Sequence, residues 1–358
     1  MITLGVDAHK NSHTIVAVDG NGRALGQRTV SATPTGHLEA LHWSTQWPER
    51  LWAVEDCRHL SRRLEADLLR VGERIVRVPP RLMGAARRTG RTPGKSDPID
   101  ALAVARAALR EPDLPTAQLD GPERDVRLLL DHREDLVAER TRMQNRVRWH
   151  LHELAPGEAP AARTLNRDHV LTVLEQRLAE LPGTVARLAR ELLVRIRELT
   201  IVINRLEHEI EQLVRPLAPS LLGLLGCGPL TAAKLVGETA GVRRFRSRAA
   251  FARHTGTAPV PVWSGNTQRF RLNRGGNRQL NAALHRIAVT QLQHHSAGRA
   301  YVDRRMTAGN TKTEAIRALR RRLSDEVYRC LMADAPPSTL RPTAYVDGCF
   351  NSAAELLT

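Results

Sequence analysis

The first 80 residues contain five short apolar segments, and their order constrains the fold more than any other feature of the chain. Strands are predicted at residues 2–7, 14–18, 24–30, 51–55 and 74–78. The sequence Asp19-Gly20-Asn21-Gly22 predicts a tight hairpin between the second and third strands. Helical patterns at residues 34–47 and 60–71 separate the later strands. Three antiparallel strands followed by alternating helices and strands predict an α/β domain of the RNase H-like type.

Four carboxylates occur at the ends of these elements. Asp7 and Glu55 end the first and fourth predicted strands, and Asp97 and Asp100 begin a helical stretch that reaches residue 109. A spacing of three places Asp97 and Asp100 on one face of a first helical turn. Taken singly, each acid is more typical of an ordinary strand end or helix start than of a metal site. Together they would repel one another, and because Mg²⁺ prefers carboxylate oxygens, the pattern predicts a site for two Mg²⁺ ions.

The charge of the chain indicates nucleic acid as a partner. Its 358 residues, enough for two or three domains, include 54 Lys plus Arg against 38 Asp plus Glu, a net charge of +16. All but four of these cations are Arg, whose planar guanidinium matches phosphate oxygens. A GC-rich genome would explain part of the Arg content, but it does not explain the excess over acids.

Composition also argues against other classes of protein. The four cysteines, Cys57, Cys227, Cys330 and Cys349, lack the spacing of a zinc site or a disulfide framework, which fits a reducing cytoplasm. No apolar run is long enough to span a membrane, so no membrane partner is expected. Five Trp, three Tyr and four Phe are too few for stacking on bases to be the main binding mode.

The remainder of the chain is predicted to be mainly helical. We expect the RNase H-like domain at residues 1–112, a helical coiled-coil region at 113–215, a C-terminal domain at 216–333 and an irregular tail at 334–358. A heptad-like seam runs through Leu188, Leu192, Ile196, Leu199, Ile203, Leu206, Ile210 and Leu213. Such a seam forms either an internal helical hairpin or a contact between protomers.

The C-terminal domain contains two candidate nucleic-acid-binding segments. Residues 221–235 are typical of a helix-hairpin-helix, in which Gly226 and Gly228 would let backbone amides approach a phosphate. A basic segment follows later in the chain, with Arg269, Arg271, Arg274 and Arg278. Ser264 precedes Gly265 just before this segment, so its hydroxyl is either a nucleophile stabilised by nearby guanidinium groups or an ordinary turn serine. His254 and His285 are candidates for a general base.

Several of these motifs together resemble one transposase family. They are Gly5-Val6-Asp7-Ala8-His9-Lys10, Glu55, Lys95-Ser96-Asp97-Pro98-Ile99-Asp100-Ala101, Gly226-Cys227-Gly228-Pro229, Thr257-Ala258-Pro259, Ser264-Gly265 and Arg274-Gly275-Gly276-Asn277. Over residues 2–333 the chain is similar to the IS110 family of bacterial insertion-sequence transposases, which includes the Piv-type invertases. It departs from the commoner pattern in having Trp263 before the serine and Asn266 after the glycine.

The resemblance implies a mechanism and partners. In this family a RuvC-like domain, similar to that of Holliday-junction resolvases, acts with a serine of the C-terminal domain. Asp7, Glu55, Asp97 and Asp100 would then bind Mg²⁺, and Ser264 would form a covalent phosphoserine intermediate. Ser247, between two arginines, is the nearest competitor, and its position favours a structural role.

Partners also follow from the resemblance. They are donor and target DNA, a structured guide RNA encoded by the element, and further protomers in a dimer or tetramer acting at the bacterial nucleoid. The loop that contains Arg87, Arg88 and Arg91 is the candidate RNA-binding surface.

Two alternatives remain open on the sequence. A junction-resolving nuclease would use the four acids and Mg²⁺ with water as nucleophile, and it would leave free DNA ends. A catalytically inactive nucleic-acid-binding protein would need one of the acids to be lost, and none is.

Overall fold

The computed structural model describes residues 1–80, 82–83, 96–111, 114–157, 160–161, 163–265, 267–271, 273 and 275–336. A five-stranded sheet forms the N-terminal domain, from β1 (Ile2–Ala8), β2 (Ser12–Val18), β3 (Ala24–Ser31), β4 (Arg50–Glu55) and β5 (Ile75–Val78). The strand order is β3-β2-β1-β4-β5. β1, β2 and β3 pair antiparallel, whereas β1, β4 and β5 pair parallel. This topology confirms the predicted RNase H-like sheet.

Helices cover both faces of this sheet, because its central strands are apolar on both sides. α1 (Pro34–Ser44) and α2 (Arg58–Arg70) belong to the side on which Trp52, Leu64 and Leu68 are buried. α3 (Asp97–Arg110) covers the other side, where its alanines pack against Val16 and Ala53. The predicted hairpin after β2 is present, and the carboxylate of Asp19 accepts hydrogen bonds from the backbone amides of Asn21 and Arg23.

Gly5 explains how closely α3 approaches the sheet. A Cβ atom at this position would lie 2.2 Å from the carbonyl oxygen of Ala101 and 2.6 Å from the amide nitrogen of Ala105. The backbone of α3 therefore rests directly on β1, with only a glycine between them. This contact fixes the start of α3 relative to the end of β1.

The middle of the chain folds back on itself. α4 (Glu123–Leu154) and α6 (Thr184–Leu217) lie antiparallel, with Arg133 bonded to Glu207 and Arg195 to Glu139. α5 (Asp168–Ala179) packs against them, and the buried side of α6 includes Leu199 and Leu206. The heptad seam is thus the inside of a helical hairpin, the first of its two interpretations.

Leu188 departs from the predicted seam. It is exposed, and the first turns of α6 bury Ala186 and Ala189 instead. These small residues share a hydrophobic cluster with the leucines of α5. A leucine stripe lies on the buried face of a helix only where the neighbouring helix packs at a constant distance, and this explains why Leu188 is exposed.

The C-terminal unit surrounds a second large core. It contains α7 (Pro219–Leu222), α8 (Pro229–Thr239), α9 (Arg248–His254), α10 (Arg278–Gln293), α11 (Ala297–Thr307) and α12 (Lys312–Asp334). It also contains a two-stranded ribbon, β6 (Val260–Ser264) and β7 (Thr267–Arg271). Val126 and Leu130 of α4 and Ile210 and Val214 of α6 lie in the same core, so the helical hairpin is rooted in this unit.

The mainly helical character predicted for the remainder is confirmed, and the domain boundaries at residues 112, 215 and 333 stay predictions. From residue 337 onward, the predicted tail lies outside the described residues. Within the described part of the chain, every helix is too short or too polar to cross a membrane.

Candidate active site

Asp7 and Asp97 meet at the end of β1. His9 lies between them, with its Nε2 atom 3.1 Å from Oδ2 of Asp7 and 3.4 Å from Oδ1 of Asp97. One oxygen from each acid and the imidazole nitrogen all lie within 4.8 Å of one another. Asp7 is buried, whereas half of the Asp97 side chain is exposed. The group is therefore buried on the side of the sheet, at Asp7, and exposed to solvent on the side of α3, at Asp97.

Asp100 completes this cluster from the first turn of α3. Burial raises the pKa of Asp7 above its ordinary value, the charge and hydrogen bond of His9 oppose the rise, and the charges of Asp100 and Asp97 add to it. Asp100 is itself buried. Three carboxylates thus interact electrostatically in a space that only partly admits water, and a positive charge placed there would be stabilised.

Glu55 belongs to the same edge of the sheet. β1 and β4 are parallel, and Val6 pairs with Val54, so Asp7 and Glu55 are the next residues of neighbouring strands. Ala53, two residues earlier, packs against α3, which places Glu55 on the face that α3 covers. Burial raises the pKa of the nearby Cys57 thiol to about 12, and Glu55 and Asp7 contribute next to that rise. Both carboxylates therefore lie within electrostatic reach of one thiol.

These donors fit a divalent cation. Carboxylate oxygens are the ligands that Mg²⁺ prefers, and a bound cation would relieve the repulsion from Asp100 and Asp97 that adds to the effect of burial on the pKa of Asp7. Sequence reasoning did not assign a role to His9. The available signal was its position two residues after Asp7, since alternate residues of an extended segment point to the same side.

Ser264 lies in a different part of the molecule, at the end of β6. Its backbone pairs with Thr267, and Gly265 of the connecting turn has a φ angle of +54°, a left-handed conformation that glycine adopts without strain. Trp263 and Phe270 of the same ribbon are 68% and 58% exposed. Arg271 and Arg278 are also exposed, and the backbone of Arg269 pairs with Val262. Ser264 thus belongs to a solvent-facing ribbon, separate from the sheet that carries the acids.

The structure gives several other predicted residues a place. Ser247 caps α9, because its hydroxyl accepts a hydrogen bond from the amide of Ala250, so its predicted structural role is confirmed. The ring of His254 contacts that of Phe245, and its Nε2 atom lies 3.3 Å from the guanidinium of Arg244. Burial and then the charge of Arg320 lower the pKa of His285.

The two glycines of the predicted helix-hairpin-helix differ from each other. Gly226 has a φ angle of +90°, and a Cβ atom there would lie 3.0 Å from the carbonyl oxygen of Ile287 in α10. It is therefore required for packing, whatever else it does. Gly228 precedes α8 and faces open space. Arg87, Arg88, Arg91 and Arg274 lie outside the described residues.

Two family models match the chain. One, described as a transposase of the IS110 DEDD type, matches residues 4–156. The other, described as transposase of the IS116/IS110/IS902 family, matches residues 218–303. Together they include all four acids and Ser264.

Curated relatives are similar over most of the chain. The 44.8 kDa protein of insertion element IS116 from Streptomyces clavuligerus is 27% identical over 94% of this chain and 98% of its own length. The 42 kDa protein of insertion element IS900 from Mycobacterium paratuberculosis is 27% identical over 92% and 95%. The 43.6 kDa protein of insertion element IS110 from Streptomyces coelicolor is 29% identical over 64% and 69%.

Among solved structures, the chain is similar to Thermus thermophilus RuvC in complex with a Holliday-junction substrate. The sequence identity is 17% and the TM-score 0.25, with 31% of this chain and 94% of RuvC covered. The assignment of the fold rests on the strand order of the sheet itself.

Proposed function

Because this chain belongs to the IS110 family of insertion-sequence transposases, we propose that it exchanges DNA strands through a covalent phosphoserine intermediate formed at Ser264. The enzyme is a DNA transposase. The proposal concerns how it breaks and joins DNA, which metal it uses and what guides it.

The proposal is supported by the carboxylate oxygens of Asp7 and Asp97, which lie within 4.8 Å of each other. Asp100 is near enough to raise the pKa of Asp7, and Glu55 ends the strand next to it. These residues would hold Mg²⁺, and two ions fit the number of carboxylates. When bound, the metal would stabilise charge that develops on the phosphodiester oxygens. The sheet and α3 fix the acids before any substrate arrives, since Gly5 allows α3 to rest on β1.

Ser264 would supply the nucleophile. Its Oγ atom forms a bond to phosphorus while the bond from phosphorus to the leaving sugar oxygen breaks. One proton leaves the serine hydroxyl, and one reaches the leaving oxygen. The phosphoserine conserves the energy of the broken bond, so the hydroxyl of another strand can reverse the step and join a new partner. Exposed cations near the ribbon, among them Arg271 and Arg278, support binding of the attacked phosphate.

The other partners of the proposal rest on the family resemblance and on the charge of the chain. A guide RNA would bind the loop that contains Arg87, Arg88 and Arg91, and its phosphates would offset part of the net charge of +16. Two or four protomers would bring donor and target DNA together in the bacterial cytoplasm. The leucine seam is internal, so an oligomer would use another surface.

The test is a search for a protein–DNA adduct. Protein, Mg²⁺, guide RNA and labelled donor DNA are incubated, denatured and separated by size. We expect an adduct with the unaltered protein, its loss in Ser264→Ala and in Asp97→Ala, and normal DNA binding in both variants. Ser247→Ala is the matched control, because it removes a serine hydroxyl from the same unit and should keep the adduct.

Two results would contradict the proposal. An adduct that persists in Ser264→Ala would identify another nucleophile. Cleavage without any adduct in the unaltered protein would favour the junction-resolving nuclease, in which the same acids activate water.

A further inference from the structure

A cleft of about 850 Å³ separates the N-terminal domain from the C-terminal unit. One wall comes from the N-terminal domain and includes Lys10, Asp56 and Arg63. The opposite wall comes from α4 and the C-terminal unit and includes Arg124 and Asn277. Apart from His254, a candidate general base, the residues that line the cleft are distinct from the predicted catalytic acids and from Ser264.

The cleft is strongly cationic. Its lining contains six Lys and Arg side chains but only two carboxylates. One of the carboxylates, Glu238, is already bound, since it lies 3.5 Å from Arg127 and accepts a hydrogen bond from Asn277. Arg62 and Arg124 share Asp120 as a partner. The positive potential of the lining is therefore only partly neutralised within the chain.

Lys10 and Arg63 are the two cations on which this inference depends. Both are exposed, and within the described part of the chain neither has a carboxylate at salt-bridge distance. Most described arginines near an acid are paired with it, for example Arg70 with Asp67 on the same helix as Arg63. Two unpaired cations in one concave site indicate an anionic ligand.

Part of the cleft lining adjoins the predicted active-site residues along the chain. Lys10 follows His9 directly, and Asp56 and Cys57 follow Glu55, so these lining residues lie at the same ends of β1 and β4 as Asp7 and Glu55. Cys57 also feels the charges of both Glu55 and Asp7. A phosphate chain that leaves the acids along this surface would enter the cleft between Lys10 and Arg63.

We propose that the cleft binds a single strand of nucleic acid by its phosphates, with Lys10 and Arg63 as contacts on the N-terminal wall. The inference rests on the proposed function for its link to the acids, because the strand would be the one presented to them. The cleft volume of about 850 Å³ lies within the range of small-ligand pockets, roughly 300–1,000 Å³, and is of the size that a few nucleotides of one strand would occupy. An acidic protein segment is the competing occupant, and the position of Lys10, Asp56 and Cys57 directly after residues of the proposed catalytic site favours nucleic acid.

Binding of a labelled single-stranded oligonucleotide tests this directly, with EDTA present so that no cleavage occurs. The variant is Lys10→Gln combined with Arg63→Gln. We expect roughly 2- to 30-fold weaker binding, since an exposed ion pair contributes about 0.2–1 kcal/mol. The slope of log affinity against log salt should fall by about 1.4, because each lost phosphate contact on a single strand contributes about 0.7.

The matched control is Arg70→Gln combined with Arg187→Gln. Both residues are exposed, each is already paired within its own helix, and the double variant has the same net charge. Its salt slope should equal that of the unaltered protein. If the two double variants lose the same affinity and the same salt slope, the inference is overturned, because total charge and not the cleft would then govern oligonucleotide binding. An unchanged oligonucleotide slope with loss of poly-glutamate binding would identify an acidic protein segment instead.

A cross-linking experiment locates the strand. Leu128 lines the cleft and is 53% exposed, whereas Leu25 lies on β3 and is 48% exposed. Each is changed to cysteine in a Cys57→Ser background and exposed to an oligonucleotide carrying a mixed disulfide on its backbone. Exchange should form a protein–oligonucleotide disulfide at position 128 and release the small thiol. Peptide mapping that finds equal labelling at position 25 would refute the assignment.

This result does not depend on catalysis. An adduct that persists in Ser264→Ala, or cleavage without an adduct, would refute the proposed chemistry. Neither result would change the oligonucleotide-binding data. Normal adduct formation together with an unchanged salt slope in the Lys10/Arg63 variant would refute the cleft alone.

Discussion

Removing the charge of Asp7 should raise the free energy of unfolding of the metal-free protein. With magnesium bound, the variant should lose this advantage over the unaltered protein. Asp7→Asn keeps the shape of the side chain and an oxygen that accepts a hydrogen bond from His9. An oxygen of Asp7 lies within 4.8 Å of one of Asp97. Two charges at that separation repel by about 3 kcal/mol at an effective dielectric constant near 20. Half-exposed Asp97 is partly screened by water, so a gain of roughly 1–3 kcal/mol is expected in EDTA.

Magnesium should reduce or reverse the difference in the free energy of unfolding between Asp7→Asn and the unaltered protein. A cation that binds only the folded protein stabilises it by about 2.7 kcal/mol when its concentration is 100 times its Kd. The unaltered protein should show that gain, and Asp7→Asn should show much less because a buried ligand has lost its charge. Urea unfolding followed by tryptophan fluorescence measures both states, since Trp52 is fully buried in β4.

Asp303→Asn is the control for this experiment. Asp303 is exposed on α11, so its loss of charge should change the free energy of unfolding by less than about 0.5 kcal/mol with or without metal. The reasoning is refuted if Asp7→Asn destabilises the protein in EDTA. It is also refuted if magnesium stabilises both proteins equally, because Asp7 would then not belong to the cation site.

Three further predictions test the fold. Gly5→Ala should destabilise the N-terminal domain by about 3 kcal/mol in urea unfolding, because the added Cβ would meet the backbone of α3, whereas Gly20→Ala, where the space is open, should be nearly neutral. Burial lowers the pKa of His13 to about 4. The contribution of neutral His13 to the free energy of unfolding should be fully present above pH 6.5, and roughly 3 kcal/mol should be lost as the pH drops toward 4. His13→Gln should reduce that loss. Leu199→Asp should unfold the helical hairpin in thermal melts, whereas exposed Ile201→Asp should leave the melting temperature nearly unchanged.

The sheet and its acids were predictable because local signals determine them. Short apolar runs predicted the strands, and the turn at Asp19 predicted the hairpin. The order of strands and helices then gave the topology, which places the ends of β1 and β4 side by side. The closeness of Asp7 and Glu55 follows from that adjacency alone.

Features that depend on distant packing could not be predicted in the same way. The leucine seam of α6 shows that one side of the helix is buried, but the same period is typical of a hairpin and of a contact between protomers. Gly226 was predicted to approach a phosphate, and its missing Cβ in fact also allows α10 to approach. His9 follows Asp7 by two residues, but its position between two acids depends on where α3 begins.

The same packing explains why the acids and the serine are held so differently. α4 packs against the C-terminal unit, since Arg127 forms a salt bridge with Glu238 and the backbone of Gly237 lies directly against Arg127. Arg253 of α9 also lies 3.6 Å from Glu111 at the end of α3. Asp7 and Asp100 are buried where α3 packs on β1, whereas Ser264 belongs to an exposed ribbon of the C-terminal unit. If Ser264 is the nucleophile, as proposed, nucleic acid bound beside the ribbon would bring it to the phosphate. Cleavage would then depend on correct binding of the strand as well as on the metal, which is the order of events that an enzyme joining two DNA partners requires.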